Sequence, residues 1–186
     1  MGKDDVQNLI DTAVKMEQDS IDFYGEAAAG TTNRLGRSMF ESFVNDEKRH
    51  LKGLQTLLTA VMVPNASPVE AGLRTTAGRI LPPRKGTFKS KITTIFLKAR
   101  QELSERVPSD ADDVKALRIA IDLEREGCKF YGEAAAKATN TTVAEVYRIL
   151  QNEEKEHLDF LQNTLSYLED TGNWFLWEEQ GLLDGG

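Results

Sequence analysis

The chain has 186 residues, a length that suits a single domain able to bury a core without disulfide bonds. Its 40% hydrophobic and 28% charged residues are ordinary for a soluble globular protein, and its net charge of −7 argues against nucleic acid or an anionic membrane as a partner. The single cysteine, Cys128, excludes an intramolecular disulfide and a four-cysteine metal site.

The first residues, from Met1 to Asp5, lack the apolar core of a signal peptide. No apolar run in the chain approaches the roughly 18 residues of a membrane span. A single cysteine is compatible with a reducing compartment. We therefore expect a soluble cytoplasmic protein.

Two helical hairpins are predicted. Apolar residues recur at helical spacing from about 6 to 29 and from about 35 to 63, and residues 30–33 between them supply a C-cap glycine and N-cap candidates. A second pair of helices runs from an N-cap pair at 109–110 to about 137, and from about 141 to 168. No segment has the alternating pattern of a strand.

Prolines and glycines break any long helix between the hairpins, apart from an amphipathic stretch at about 89–106 that predicts a short crossing helix. A connection of this length can carry the chain across a bundle. The sequence thus predicts one all-α domain over 1–186, a four-helix bundle built from two repeated hairpins joined by a long crossover with a short extra helix. Its parts are hairpin 1 at about 5–62, the crossover at about 64–108, hairpin 2 at about 109–170 and a tail at 171–186.

The tail contains the apolar run Trp174–Trp177. We expect it to dock on its own bundle, with a partner-binding segment as the alternative.

The only two histidines each close a Glu-x-x-His phrase, and each phrase follows another glutamate by the same interval. The six residues form two matched sets: Glu17, Glu47 and His50, and Glu124, Glu154 and His157. The sets lie 107 residues apart, the difference between positions 50 and 157, and the flanking sequence matches at that offset without a gap. Such a repeat predicts two copies of one unit that pack face to face.

Each candidate ligand interrupts an otherwise apolar helical stripe, as in Ile10, Val14, Glu17, Ile21, Tyr24 and Ala28. The six are therefore predicted to face the bundle interior. The neighbouring acids lie off these stripes and are expected to be solvated: Glu41, Asp46, Glu126 and Glu156.

Four buried carboxylates would repel one another, and two divalent cations balance their charge. One Glu-x-x-His phrase is most often a surface pair, and a lone histidine on an apolar face is most often a core residue. Two phrases with identical spacing to inward glutamates instead predict a dinuclear metal site. Carboxylate and imidazole ligands without thiolate favour iron or manganese over magnesium or a structural zinc.

With Phe-Tyr after each first glutamate and Glu-x-x-His given twice, the chain resembles the rubrerythrin branch of the ferritin-like superfamily over about 5–62 and 109–170. The resemblance implies a ferritin-like bundle with a di-iron site. In that site Glu17 and Glu124 would be terminal ligands, Glu47 and Glu154 would bridge, and His50 and His157 would each cap one iron.

Tyr24 and Tyr131 fall where the family places tyrosines that hydrogen-bond the ligand carboxylates, and they are the candidate catalytic residues. Ordinary core packing is the alternative reading for both. For Cys128, which lies on an inward stripe, we expect core packing in preference to redox chemistry.

The chain departs from rubrerythrins in two respects. One cysteine cannot build a rubredoxin-like iron site, so electrons would come from an external donor protein. Rubrerythrins also carry an exchanging carboxylate three residues after the third-helix glutamate, where this chain has Gly127, matched by Ser20 in the first unit. The remaining six-residue set is closer to the bacterioferritin type.

The resemblance implies an oxidoreductase that reduces hydrogen peroxide or dioxygen at two iron ions, with manganese or a mixed pair as alternatives, in a homodimer. Two other functions stay open: a ferroxidase or iron-handling protein with iron as cargo, and a structural bundle with an incidental metal.

Overall fold

The structure is a computed structural model that describes residues 3–62, 77–82, 84 and 111–171. Within these ranges it contains helices and no strand, which confirms the predicted all-α class. The helices are α1 (Lys3–Gly30), α2 (Arg34–Met62), α3 (Ala77–Ile80), α4 (Ala111–Lys137) and α5 (Thr141–Thr171). The predicted helix at 89–106, the N-cap pair at 109–110 and the Trp-containing tail lie outside the described residues.

Both hairpins turn through an asparagine N-cap at equivalent positions. Asn33 Oδ1 accepts hydrogen bonds from the Leu35 and Gly36 amides at 2.8 and 3.2 Å. Asn140 Oδ1 accepts them from the amides of residues 142 and 143 at 2.9 and 3.1 Å. A side-chain oxygen there satisfies amides that have no partner inside the helix, which is why asparagine suits the start of α2 and of α5.

The four long helices form one bundle. α1 packs along α2 and α4 along α5, while α1–α4 and α2–α5 contacts join the hairpins within a single chain. A buried hydrogen bond of 2.7 Å from Thr31 Oγ1 to Asp113 Oδ1 adds a polar link between them. The arrangement is consistent with a ferritin-like bundle.

Two apolar clusters occupy the bundle core. We call them the Phe40 cluster, which includes Tyr24, Phe40, Phe43, Leu117 and Leu161, and the Tyr147 cluster, which includes Ile10, Leu54, Leu57, Tyr131 and Tyr147. On each long helix the candidate ligands lie between the residues of one cluster and those of the other. The polar residues therefore form a layer with apolar packing on both sides.

The described part of the crossover docks on α2 and α5. Ile80 and Leu81 are buried in the Tyr147 cluster, and burial of side chains of this size stabilises a fold by about 1.5–3 kcal/mol each. Gly53 on α2 permits this approach, since a Cβ there would lie 2.9 Å from Leu81 Cδ1 and 3.4 Å from the Ile80 carbonyl oxygen. This described segment of the crossover is thus part of the core.

The predicted inward stripes are buried or half-buried throughout. The expectation of solvation is correct for Glu41, Glu126 and Glu156 and wrong for Asp46, whose exposed fraction is 4%. Asp46 lies on a second buried face of α2, together with Ser42 and Gly53, that the stripe analysis did not consider. None of the described helices combines the length and apolar character needed to cross a membrane.

Candidate metal centre

The six predicted ligands meet in the polar layer as two overlapping groups. One contains Glu17, Glu47, His50 and Glu154, and the other contains Glu47, Glu124, Glu154 and His157. Within each group the potential ligand atoms all lie within 4.8 Å of one another. Glu47 and Glu154 belong to both groups, so they occupy the place where bridging ligands would be needed.

The two groups are built alike. His50 Nδ1 lies 2.9 Å from a Glu47 oxygen, 3.1 Å from a Glu154 oxygen and 3.5 Å from Glu17 Oε2. His157 Nδ1 lies 3.3 Å from Glu47, 3.4 Å from Glu154 and 3.5 Å from Glu124. Each imidazole therefore turns the same nitrogen toward both shared carboxylates and toward the glutamate that its own group adds.

All six side chains are buried, with no residue more than 4% exposed. Within the part of the chain that the structure describes, Glu47 Oε1, Glu124 Oε2 and Glu154 Oε1 accept no hydrogen bond. Buried carboxylate oxygens that are left without hydrogen bonds are costly, and an ion that binds them removes the cost. A cluster of oxygens with one imidazole nitrogen per group fits two divalent transition-metal ions.

The two unshared glutamates hold their protons strongly. Burial raises the pKa of Glu17 well above its ordinary value, and the charges of Glu47 and Glu154 raise it further against the opposing effect of His50. Burial and then the charge of Glu154 raise the pKa of Glu124 in the same way. These two carboxyls therefore favour the neutral form when no cation is bound.

The shared glutamates behave in the opposite manner. Burial by itself raises the pKa of Glu154, but a hydrogen bond with Glu124 and the charge of His50 outweigh it and hold this pKa well below its usual value. For Glu47, burial and the Glu154 charge raise the pKa, and the interactions with both imidazoles bring it below the ordinary value. Both shared carboxylates are thus anionic.

The histidines complete the charge pattern. Burial alone would lower the pKa of His50, yet Glu47, Glu17 and Glu154 raise it well above its ordinary value. The pKa of His157 is raised for the same reason, with Glu124 as the largest favourable charge. Both imidazoles therefore favour the protonated form when no cation is bound. Bound divalent cations would take the place of protons held by the imidazoles and the unshared carboxyls.

Each tyrosine reaches across to the other hairpin. The Tyr24 hydroxyl donates a hydrogen bond to Glu124 Oε1, and the Tyr131 hydroxyl donates one to Glu17 Oε1. Burial raises both tyrosine pKa values well above the ordinary value, and the adjacent carboxylates raise them further. The hydroxyls therefore keep their protons and offer them to the two unshared carboxyls, an arrangement that core packing alone does not require.

Two outer carboxylates were missed by the sequence reasoning. Glu153 Oε2 lies 2.8 Å from His50 Nε2, and Asp46 Oδ2 lies 3.5 Å from His157 Nε2. Each precedes a shared glutamate and faces the histidine of the other hairpin. Carboxylates at this place orient the imidazoles of metal sites. Asp46 and Glu153 occupy equivalent positions in the repeat, and this equivalence is the feature of the sequence that could have identified them.

Two arginines accompany the outer carboxylates. Arg84 Nη2 donates a 3.0 Å hydrogen bond to Glu153, and Arg84 Nε lies 3.4 Å from Asp46 Oδ2. Arg49 also donates to Glu153, and its Nη1 donates to the Pro82 carbonyl at 3.0 Å. The helical pattern of the sequence does not predict the contacts of either arginine.

Two small features border the site. Cys128 is half-buried with its Sγ 3.9 Å from the Gln151 carbonyl, and burial together with the Glu154 charge raises the pKa of the thiol to about 11. It is therefore a protonated thiol, in keeping with packing. A Cβ on Gly127 would lie 3.4 Å from Glu154 Cγ, so a larger side chain there would have to share space with a shared glutamate.

A family model described as Rubrerythrin matches residues 115–180, which span most of α4 and all of α5. The second hairpin is rubrerythrin-like. The match confirms the resemblance over the second hairpin, and it suggests a di-iron protein. No curated protein and no solved structure matches the chain significantly. The rubrerythrin-like hairpin contains Glu124, Glu154 and His157, and the first hairpin places its three counterparts in the same layer.

Proposed function

We propose that this protein is a non-haem di-iron oxidoreductase that reduces hydrogen peroxide or dioxygen with electrons from an external donor protein. The observation that carries the proposal is the pair of overlapping buried Glu/His groups, each bordered by a tyrosine hydroxyl. Bound iron would supply electrons by cycling between its ferrous and ferric states.

The ligand roles follow from which group each residue joins. Glu17 and His50 would hold one ion, and Glu124 and His157 would hold the other. Glu47 and Glu154 would bind both, because each belongs to both groups. With both ions divalent, the four carboxylates balance their charge, and the buried layer carries no net charge from the ions and these ligands.

The tyrosines would supply protons. Reduction of one peroxide to two water molecules consumes two electrons and two protons. Tyr24 and Tyr131 each hold a proton at a hydroxyl that is bonded to an unshared carboxylate. Donation of one proton from each side would meet the requirement, and solvent would restore the protons afterwards.

The apolar clusters would keep bulk water from the layer. The Phe40 and Tyr147 clusters cover it on both sides along the bundle. A dry site strengthens the electrostatic contacts within it and limits side reactions. Electrons would then have to enter from a docked donor protein, consistent with a chain whose one cysteine cannot build a rubredoxin-like centre.

An anaerobic experiment tests the proposal. The metal-free protein is loaded with two equivalents of ferrous iron and mixed with one equivalent of hydrogen peroxide in a stopped-flow spectrophotometer. We expect both irons to be oxidised and one peroxide to be consumed for two irons. Iron that binds at two per chain and stays ferrous would overturn the proposal.

Tyr24→Phe and Tyr131→Phe test the proton role. Each should slow iron oxidation by about 10- to 100-fold, since general acid catalysis contributes at least that much, and the effect should depend on pH. Tyr147→Phe is the matched control, because Tyr147 is a buried tyrosine whose hydroxyl makes no hydrogen bond to any described residue. Equal rates of iron oxidation in all three variants would show that Tyr24 and Tyr131 do not take part in the reaction.

Iron handling is the second candidate function. It is favoured by the symmetric six-residue set, with Gly127 where rubrerythrins carry a further carboxylate. Turnover separates the two functions. Sustained peroxide consumption in the presence of a chemical reductant supports the oxidoreductase, and accumulation of iron beyond two ions per chain supports iron as cargo.

A further inference from the structure

Arg84 joins the crossover to both outer carboxylates. Its side chain is 9% exposed, and its guanidinium contacts Glu153 at 3.0 Å and Asp46 at 3.4 Å. A third acid, Glu156, lies 3.4 Å from Nη1. A planar guanidinium with several fixed donors can hold two carboxylates at defined positions, which a lysine ammonium cannot do equally well.

The two outer carboxylates are also the residues that face the imidazoles. Glu153 lies next to His50 Nε2, and Asp46 lies next to His157 Nε2. Arg84 therefore connects with both histidines through one intermediate residue each. The connection spans both hairpins, because Asp46 is on α2 and Glu153 is on α5.

The charges of the whole cluster support this connection. Apart from Glu156, whose side chain is exposed to solvent, the four inner and two outer carboxylates carry six negative charges when ionised. Arg49 and Arg84 supply two positive charges, which leaves the four that two divalent cations balance. Removal of Arg84 would leave one buried carboxylate uncompensated, and such a residue protonates, turns away or recruits another cation.

The backbone around Arg84 is held against the bundle by independent contacts. Leu81 packs over Gly53, and the Pro82 carbonyl accepts the hydrogen bond from Arg49. The position of the Arg84 guanidinium therefore depends on docking of this segment.

We propose that Arg84 is a positioning residue that fixes both outer carboxylates, and through them both imidazoles, so that docking of the crossover and metal binding are coupled. The inference rests on the metal site of the proposed function. Because binding free energies are reciprocal, a metal that binds better when the crossover is docked must also favour docking.

Cobaltous ion is a suitable probe, since its visible absorption reports the number and the geometry of bound ions. Metal-free wild type is titrated beside Arg84→Gln, Arg84→Lys and the control Arg79→Gln, which removes one positive charge from an exposed position on α3. Wild type and Arg79→Gln should bind two ions with the same affinity. Arg84→Gln should bind about 10- to 100-fold more weakly, the usual loss when an outer partner of a ligand is disturbed.

The direction of the change identifies the cause. If Arg84 acted only through its charge, its removal would make cation binding tighter. Weaker binding in Arg84→Gln, with an intermediate affinity in Arg84→Lys, therefore supports positioning. Affinity in Arg84→Gln that equals or exceeds that of Arg79→Gln overturns the inference.

Hydrogen–deuterium exchange supplies a readout that needs no variant. Amides in residues 77–84 of the wild type should exchange more slowly after two cobaltous ions bind, and Arg84→Lys should reduce that difference. Equal exchange in the metal-free and loaded wild type overturns the coupling, even if Arg84→Gln fails to fold. A wild type that does not bind two ions would contradict the proposed function itself, so the two failures are distinguishable.

Discussion

The two hairpins place the same side chains in the polar layer and surround them differently. Inside the layer, each hairpin contributes one unshared glutamate, one shared glutamate, one histidine and one tyrosine, at positions that differ by 107. Outside it the correspondence is only partial. Arg49 has Glu156 as its counterpart, and Phe40 has Tyr147. The repeat is complete where the proposed chemistry needs two equal halves, and it varies around that layer.

Substitution of a shared glutamate should have the largest effect on metal binding, because both groups contain that residue. Glu47→Ala or Glu154→Ala removes a residue that both groups need, so we expect two bound metal ions to become none. Glu17→Ala or Glu124→Ala removes a residue of one group only, so we expect one ion to remain. Metal analysis after equilibrium dialysis measures both outcomes. Loss of a single ion in the Glu47→Ala protein would show that this residue is not shared.

The stability of the metal-free protein should depend on pH, because ligand residues in both hairpins hold protons. The pKa values of His50, His157, Glu17 and Glu124 are raised in the folded state, so their contribution to stability is present below the unfolded values and is lost as pH rises through the folded ones. The melting temperature should therefore fall by several degrees as pH rises above the ordinary pKa values of these groups, about 4.5 for the carboxyls and about 6.5 for the imidazoles.

Metal loading should suppress that decrease, because the cations take the place of the protons. The lowered pKa of Glu154 has the opposite sign, and its contribution is lost as pH falls below the ordinary carboxyl range. Thermal melts of metal-free and loaded protein from about pH 3 to about pH 9 measure the loss of stability at low pH and at high pH. Parallel curves for the two forms would contradict the assignment of protons to the ligands.

Tyr147→Phe tests a difference between the two apolar clusters, namely the buried hydroxyl that only the Tyr147 cluster has at this equivalent position. Its hydroxyl is buried and makes no hydrogen bond to the described parts of the chain, whereas the equivalent Phe40 has no hydroxyl to satisfy. Removal of an unsatisfied buried hydroxyl should stabilise the protein by about 1 kcal/mol, or about 2–4 °C in melting temperature. Destabilisation in a thermal melt would indicate that the hydroxyl has a partner.

The smallest expected effect compares two equivalent glycines. A Cβ on Gly25 would meet nothing within 4 Å, but a Cβ on Gly132 would clash with Gln151 Nε2. Gly25→Ala should stabilise the helix by about 0.5–1 kcal/mol, the gain in helix propensity. Gly132→Ala should gain less, because Gln151 has to move. Chemical denaturation of both variants measures the difference, and an equal gain would show that Gln151 moves at no cost.

Much of the fold and of the candidate site could be predicted from the sequence because the chain repeats itself on regular helices. Helical periodicity placed the ligands on inward faces, and the asparagines at both turns marked where the second helix of each hairpin begins. The same periodicity failed for Asp46, because it identifies one buried face and α2 has two.

Arg84 could not be predicted for a different reason. It lies on an irregular connection, whose path depends on where Leu81 finds room beside Gly53 and not on any periodic pattern. The roles of the six ligands, the crossing helix at 89–106 and the docking of the tail stay predictions.

The crossed tyrosine bonds have an evolutionary consequence. Each tyrosine serves a carboxylate of the opposite hairpin, so a two-fold dimer of a single ancestral hairpin would satisfy both bonds with one sequence, as isologous contacts do. In such a dimer every substitution appears twice. After fusion of the two copies through the crossover, the two halves can change independently. Equivalent positions can then differ, as they do where one half has the cation Arg49 and the other has the acid Glu156.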